Sequence, residues 1–186
     1  MKDFILVCGN DIIHVIMDLN LQNKIWWNYI EEDLQELVVA SEFLSNVVKS
    51  WGGDMPAGKQ VFHDYSFVVF PIAKAYEGFL KKIFLDMDFI TQEDYSGKRF
   101  RIGKALNPYL EDKYRIGESV YDKVVNHCGG KDLADTLWNA WSQGRNLVFH
   151  WFPDEKKAVS FVDATERIKM IINAMDKAFE GCIIKT

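Results

Sequence analysis

The feature that most constrains this chain is the return of apolar residues every three or four positions over several long stretches, because only an α-helix gathers such residues into one stripe. The pattern is clearest from Ser160 to Gly181, where Phe161, Ala164, Ile168, Ile171, Met175 and Ala178, with Cys182 just beyond, follow helical spacing. From Trp26 to Val48, Ile30, Leu34, Leu37, the small Ser41, Leu44 and Val48 form a second stripe, which Trp51-Gly52-Gly53 ends. A third helix is predicted from about Asp64 to Met87, with Val69, Ala73, Tyr76, Leu80, Ile83 and Met87 on one face. Pro71 implies that this helix either kinks there or starts there.

Lys131 to about His150 reads as a fourth long helix closed by Pro153, and Glu118 to Cys128 as a shorter one closed by Gly129-Gly130. Between them and the third helix, residues 91–117 carry Gly97, Gly103, Pro108 and Gly117 among charges, which predicts a loop with a short helical piece near Lys104 to Glu111. Connections of that length are often functional. At the N-terminal end, residues 4–17 are two apolar runs around Gly9-Asn10, suited to the tight turn of a β-hairpin, although Ile12 to Met17 also reads as the start of a helix. The expected fold is therefore mainly α: a bundle of four main helices plus short ones, with residues 1–22 as a hairpin or arm. No repeat, low-complexity tract or linker divides the 186 residues, so a single domain over 1–186 is expected.

Composition narrows the functional classes. A net charge of -5 argues against a broad basic surface that coats nucleic acid, so any RNA chemistry must come from a compact site. Cys8, Cys128 and Cys182 form no CxxC pair and are odd in number, which suits a reducing compartment and does not predict a disulfide scaffold. Lys2 precedes an apolar stretch, but Gly9-Asn10-Asp11 interrupts it without a cleavage site, and no run reaches the roughly twenty apolar residues of a membrane span. A cytoplasmic protein with no membrane partner is expected. His14, His63, His127 and His150 are scattered, with no HExxH motif, glycine-rich phosphate loop or GxSxG elbow, so no metal or cofactor is expected.

The chemistry concentrates in one segment. Between Asp135 and Asp154 the only full charge is Arg145, although 26% of the chain is charged. Trp138, Trp141, Phe149, Trp151 and Phe152 supply apolar bulk, while Asn139, Gln143, Asn146 and His150 share one uncharged polar face. Solvated faces usually carry Lys and Glu instead, so this stretch is expected to be buried or to lie at an interface. One helical turn separates Asn146 from His150, close enough for the amide to orient the imidazole for proton transfer. On a straight helix of roughly 3.6 residues per turn, Arg145 would point about 140° away from His150, so either the arginine arm curls or the helix loosens near it. A partly buried ion pair for Arg145 and a hydrogen-bonded core or helix-end role for His150 are the structural alternatives.

The segment Arg145-Asn146-Leu147-Val148-Phe149-His150, an Arg followed by Asn and then a His after four intervening residues near the end of a helical bundle, resembles the signature of HEPN-domain ribonucleases. Ala75-Tyr76-Glu77-Gly78-Phe79-Leu80-Lys81-Lys82 is similar to a helix of the RNase LS toxin family within that superfamily. The likeness spans roughly residues 64–181. It implies a metal-independent endoribonuclease, a toxin of a toxin–antitoxin or phage-defence system, in which a ribose 2′-hydroxyl attacks the adjacent phosphate. Arg145 and His150 would be catalytic, Glu77 would work with them, and Asn146 would orient the substrate. RNA would be the substrate, a homodimer the working form, and an antitoxin protein a possible partner. Some such toxins carry a Tyr two residues after the His that an antitoxin modifies; Phe152 stands there in this chain.

Other readings stay open at this point. Lys74 and Lys81 lie three and four residues from Glu77, so an exposed helix ion pair explains that carboxylate as well. Tyr76, Trp138 and Trp141 could stack bases or simply pack a core. A HEPN-like dimerising module that binds nucleotide or protein without catalysis, and a plain helical interaction protein, are the competing functions.

Overall fold

A computed structural model describes residues 21–52, 61–150 and 158–184 in full, and the backbone of residues 7–8 and 11–12. Val7–Cys8 (β1) and Asp11–Ile12 (β2) pair antiparallel, Val7 opposite Ile12 and Cys8 opposite Asp11. The rest of the expected hairpin, Gly9-Asn10 included, lies outside the described residues.

The described residues are mainly helical, and the second long helix is their axis. This helix, α2 (Ser66–Asp86), buries eleven side chains, from Val68 to Phe84, and so has little solvent face left. It begins at Ser66 and runs through Pro71 rather than starting there, which leaves the Phe67 carbonyl without its intrahelical donor. Long helix α1 (Glu32–Ser50) packs along it. Ser41, the small member of the α1 stripe, is buried and donates its hydroxyl to the Val68 carbonyl at 2.6 Å, which lets the two helices approach closely.

α1 starts six residues later than its periodicity predicts. Residues 21–30 instead bend through two 3₁₀ turns, Leu21–Asn23 and Trp27–Tyr29, so that Leu21, Trp26 and Ile30 all reach the core. The Trp26 indole donates to Asp176 at 2.7 Å, and Lys24 pairs with the other oxygen of the same carboxylate at 2.7 Å. A straight helix from Trp26 would forfeit these contacts.

The connecting region holds more helix than expected. Gln92–Ser96 (α3) carries a reciprocal cap between Thr91 and Asp94. Ile102–Ala105 (α4) is one turn, and Asp112–Glu118 (α5) precedes Val120–His127 (α6), whose N-terminus Ser119 caps. The expected helix near Lys104 to Glu111 is therefore misplaced: α4 stops at Ala105, Leu106 and Leu110 are buried, and Asn107 accepts a hydrogen bond from the Tyr109 amide in a turn.

Gly130–Trp141 (α7) then leads into a π-helical turn at Ser142–Asn146 and a last short turn at Leu147–Phe149 (α8). Phe161–Ala178 (α9), opened by a Ser160–Asp163 capping box and ended by a second π turn at Phe179–Ile184, packs on both α2 and α7. α7 and α9 run antiparallel, since Gly144 meets Ile171 near one end while Gly181 meets Leu133 near the other. The absence of a disulfide expected from cysteine spacing is corrected here: Cys128 and Cys182, 54 residues apart, are joined with their Cα atoms 4.6 Å apart. Sequence separation hides what the antiparallel pair brings together. Among the described residues no helix is long and apolar enough to cross a membrane.

Candidate functional site

The charge-poor segment is not uniformly buried. Leu133, Ala134, Leu137, Ala140, Trp141 and Gly144 face the core, whereas Asn139, Gln143 and His150 are exposed and Asn146 is half-buried. The exposed polar residues are those the spacing predicts, although the π turn and the extended His150 keep them from forming one straight helical face. Trp151, Phe152 and Pro153 lie outside the described residues.

The helix loosens where Arg145 would otherwise point away from His150. In the π turn hydrogen bonds close over five residues rather than four, which widens the turn and shifts the following side chains round the axis. Such single turns are frequent at functional sites. Two neighbours hold this one. Gly144 lies against Ile171, where a Cβ would come 2.9 Å from Cγ1, so α9 packs onto the backbone itself. Arg167 of α9 donates to the Gln143 carbonyl inside the turn. Spacing gave no hint of Arg167, because it sits on a separate helix with no motif around it.

The Arg145 guanidinium lies over the Trp141 ring, 5.0 Å from its centroid, and 3.5 Å from a Glu77 carboxylate oxygen. Both charged side chains are about a third exposed, at 35% and 36%. Glu77 thus meets the arginine across α2, and among the described residues neither Lys74 nor Lys81 pairs with it. An aromatic face and a carboxylate leave part of the planar fork open to solvent, which suits a group that can grip a phosphate in two places.

His150 ends α8 in an extended conformation (φ −106°, ψ 129°) and is exposed. Because it has left the helix, the one-turn helical relation to Asn146 that the spacing predicts is not kept. Its neighbour Phe149 packs edge-on against Phe70 with centroids 5.4 Å apart. Phe70 and Glu77 are seven residues apart on α2 and share a face, so one helix anchors both ends of the motif over about 10 Å.

The aromatic candidates separate. Tyr76 is fully buried, donates its hydroxyl to the Leu137 carbonyl at 3.1 Å, and has its phenol pushed well above the usual range by burial. Trp141 is also core, and serves as the platform under Arg145. Trp138 is half-buried and borders a recess with Asn139 and the exposed Tyr109. Among the described residues no group of His, Cys, Asp and Glu side chains is placed to hold a metal ion. Comparison with family models, with curated proteins and with solved structures gave no match, so the site stands on its own chemistry.

Proposed function

We propose that this chain is an endoribonuclease of the HEPN type that needs no metal. The observation carrying the reading is the placement of Arg145, stacked on Trp141 and paired with Glu77, in a π turn one short helical turn before the exposed His150. In the reaction the 2′-oxygen attacks the neighbouring phosphorus, the bond to the 5′-oxygen breaks, and a 2′,3′-cyclic phosphate and a 5′-hydroxyl result. Arg145 supplies a permanent cation beside the charge that builds on the non-bridging oxygens. His150 transfers a proton, since an imidazole can both accept and donate one. Glu77 holds the guanidinium and is the in-chain candidate for the second proton-transfer group. Asn146, half-buried at the end of the π turn, orients substrate.

The resemblance extends the proposal to a homodimer with two Arg145–His150 pairs in one cleft, to a toxin or phage-defence role, and to an antitoxin partner. Cleavage of RNA by the purified protein should persist in excess EDTA and fall by about 10²–10⁴ in His150→Ala. Full cleavage by that variant rejects the assignment.

One observation favours a dimerising module without catalysis. Phe67 and Phe70 are 39% and 54% exposed, and Phe62 packs against Phe67 at 5.3 Å, making an aromatic surface of the kind interfaces cover. If that is the whole function, cells expressing the wild-type chain and His150→Ala should grow alike.

A further inference from the structure

We infer that Lys98, Arg99 and Arg101 form a second phosphate-binding patch, over which a single RNA strand runs as it leaves the Arg145 site. The inference takes its ligand from the ribonuclease reading and adds where the strand lies.

In a chain of net charge -5, residues 95–110 contain no carboxylate and four cations, Lys98, Arg99, Arg101 and Lys104. A negative protein repels a polyanion at long range, so RNA has to be held by a local positive field. Arg99, Arg101 and Lys104 border a recess of about 280 Å³ that Phe89, Ile90 and Phe100 also line. Asp94 and Glu118 also border it: Glu118 is paired with Lys104, which is thereby largely neutralised, whereas Asp94 caps α3 through Thr91 and keeps its charge, so the three remaining cations exceed the one remaining carboxylate by two.

The other three cations are exposed, and none of them is paired with a carboxylate among the described residues. Arg101 donates only to the backbone carbonyls of Lys98 and Phe100, which fixes its arm and leaves its charge uncompensated. Two arginines beside a recess partly lined by aromatic side chains suit a phosphodiester whose base turns inward.

The segment that carries the patch reaches the tryptophan under Arg145. Gly103, in α4, lies against the edge of Trp141, where a Cβ would come 2.8 Å from the indole nitrogen. Arg145 lies over the ring of that same indole at 5.0 Å. One buried tryptophan therefore separates the basic segment from Arg145, a short span for a strand that touches both.

The test is binding of a short, fluorescently labelled single-stranded RNA of mixed sequence, read in the His150→Ala chain so that cleavage does not intervene. Arg99→Gln/Arg101→Gln should weaken binding roughly tenfold or more at moderate salt, and should flatten the dependence of log affinity on log salt by about 1.4, the effect of losing two phosphate contacts on a single strand. Lys98→Gln, which disturbs no side-chain hydrogen bond, should flatten it by about 0.7. Replacing Lys49 and Lys177 by Ala removes two charges elsewhere and should leave both quantities unchanged. Affinity and salt slope unchanged in the arginine and lysine variants, while the otherwise unaltered chain cleaves RNA, overturn the inference and leave the ribonuclease reading standing. RNA binding that depends on these residues in a chain that cleaves nothing does the reverse.

Discussion

Arg145 is held by two groups of different character, and each sets a different requirement on the residue. The Trp141 face attracts any cation, but only a planar guanidinium can lie flat on it, touch Glu77 at 3.5 Å and still offer a second edge to a phosphate. Arg145→Lys keeps the charge and loses the fork, so RNA cleavage should fall by about 10² or more while the thermal midpoint barely moves. Wild-type cleavage by the lysine variant means that Arg145 acts as a point charge or a structural residue. A different arginine bears on acid stability. Arg115 makes two hydrogen bonds to Asp122, at 3.0 and 2.6 Å, and these hold its carboxyl below the usual carboxylate value against the opposing effect of partial burial. A depressed folded pKa contributes stability that is present above the unfolded value, near 3.9, and is lost as pH falls through the folded one. Unfolding followed from pH 7 downward should therefore show Asp122→Asn less stable than wild type at neutral pH, with the gap closing below about pH 4. A gap independent of pH removes the ion pair as its cause.

The decisive element is the π turn between α7 and α8. Helical periodicity from Lys131 to His150 predicts one continuous helix, and the apolar stripe through Leu133, Leu137 and Trp141 follows that prediction. The wider turn that comes next depends on α9, because Ile171 needs the open flank of Gly144 and Arg167 needs the Gln143 carbonyl. A π turn carries no residue signature of its own, which is why spacing indicated only that something must loosen there. Gly144→Ala would force a Cβ to within 3.0 Å of both Cγ1 and Cδ1 of the fully buried Ile171, costing roughly 1–3 kcal/mol by overpacking. Adding Ile171→Val should restore part of the thermal midpoint and of the RNA cleavage together. Recovery of stability without recovery of cleavage separates the turn from the chemistry.

At the scale of the molecule, the Cys128–Cys182 bridge closes the open end of the α7–α9 pair and so encloses every element that carries the Arg145–His150 motif. A loop of 54 residues is long enough for its closure to constrain the unfolded chain by about 4 kcal/mol. Reduction with dithiothreitol, or Cys182→Ser, should lower the thermal midpoint on the order of 10 °C. An unchanged midpoint, with both thiols alkylated in the untreated unfolded chain, shows that the bridge is not made in solution.

The long helices, the Ser160–Asp163 cap and the exposed polar positions Asn139 and Gln143 are all local: each follows from residues within a few positions of one another, and helical geometry does the rest. The Arg-Asn-His spacing is legible for the same reason. What the sequence leaves open is which distant group each of these meets. Glu77 has equally good partners in Lys74 and Lys81 along its own helix, and only the packing of the π turn against α2 selects Arg145. Trp26 leaves the helical register because Asp176, 150 residues away, accepts its indole hydrogen. Cys128 meets Cys182 because α7 and α9 run antiparallel. In each case the deciding energy is a contact between elements far apart in the chain. Such contacts exist only once the core is assembled, so periodicity could place the helices but tertiary packing alone could assemble the site.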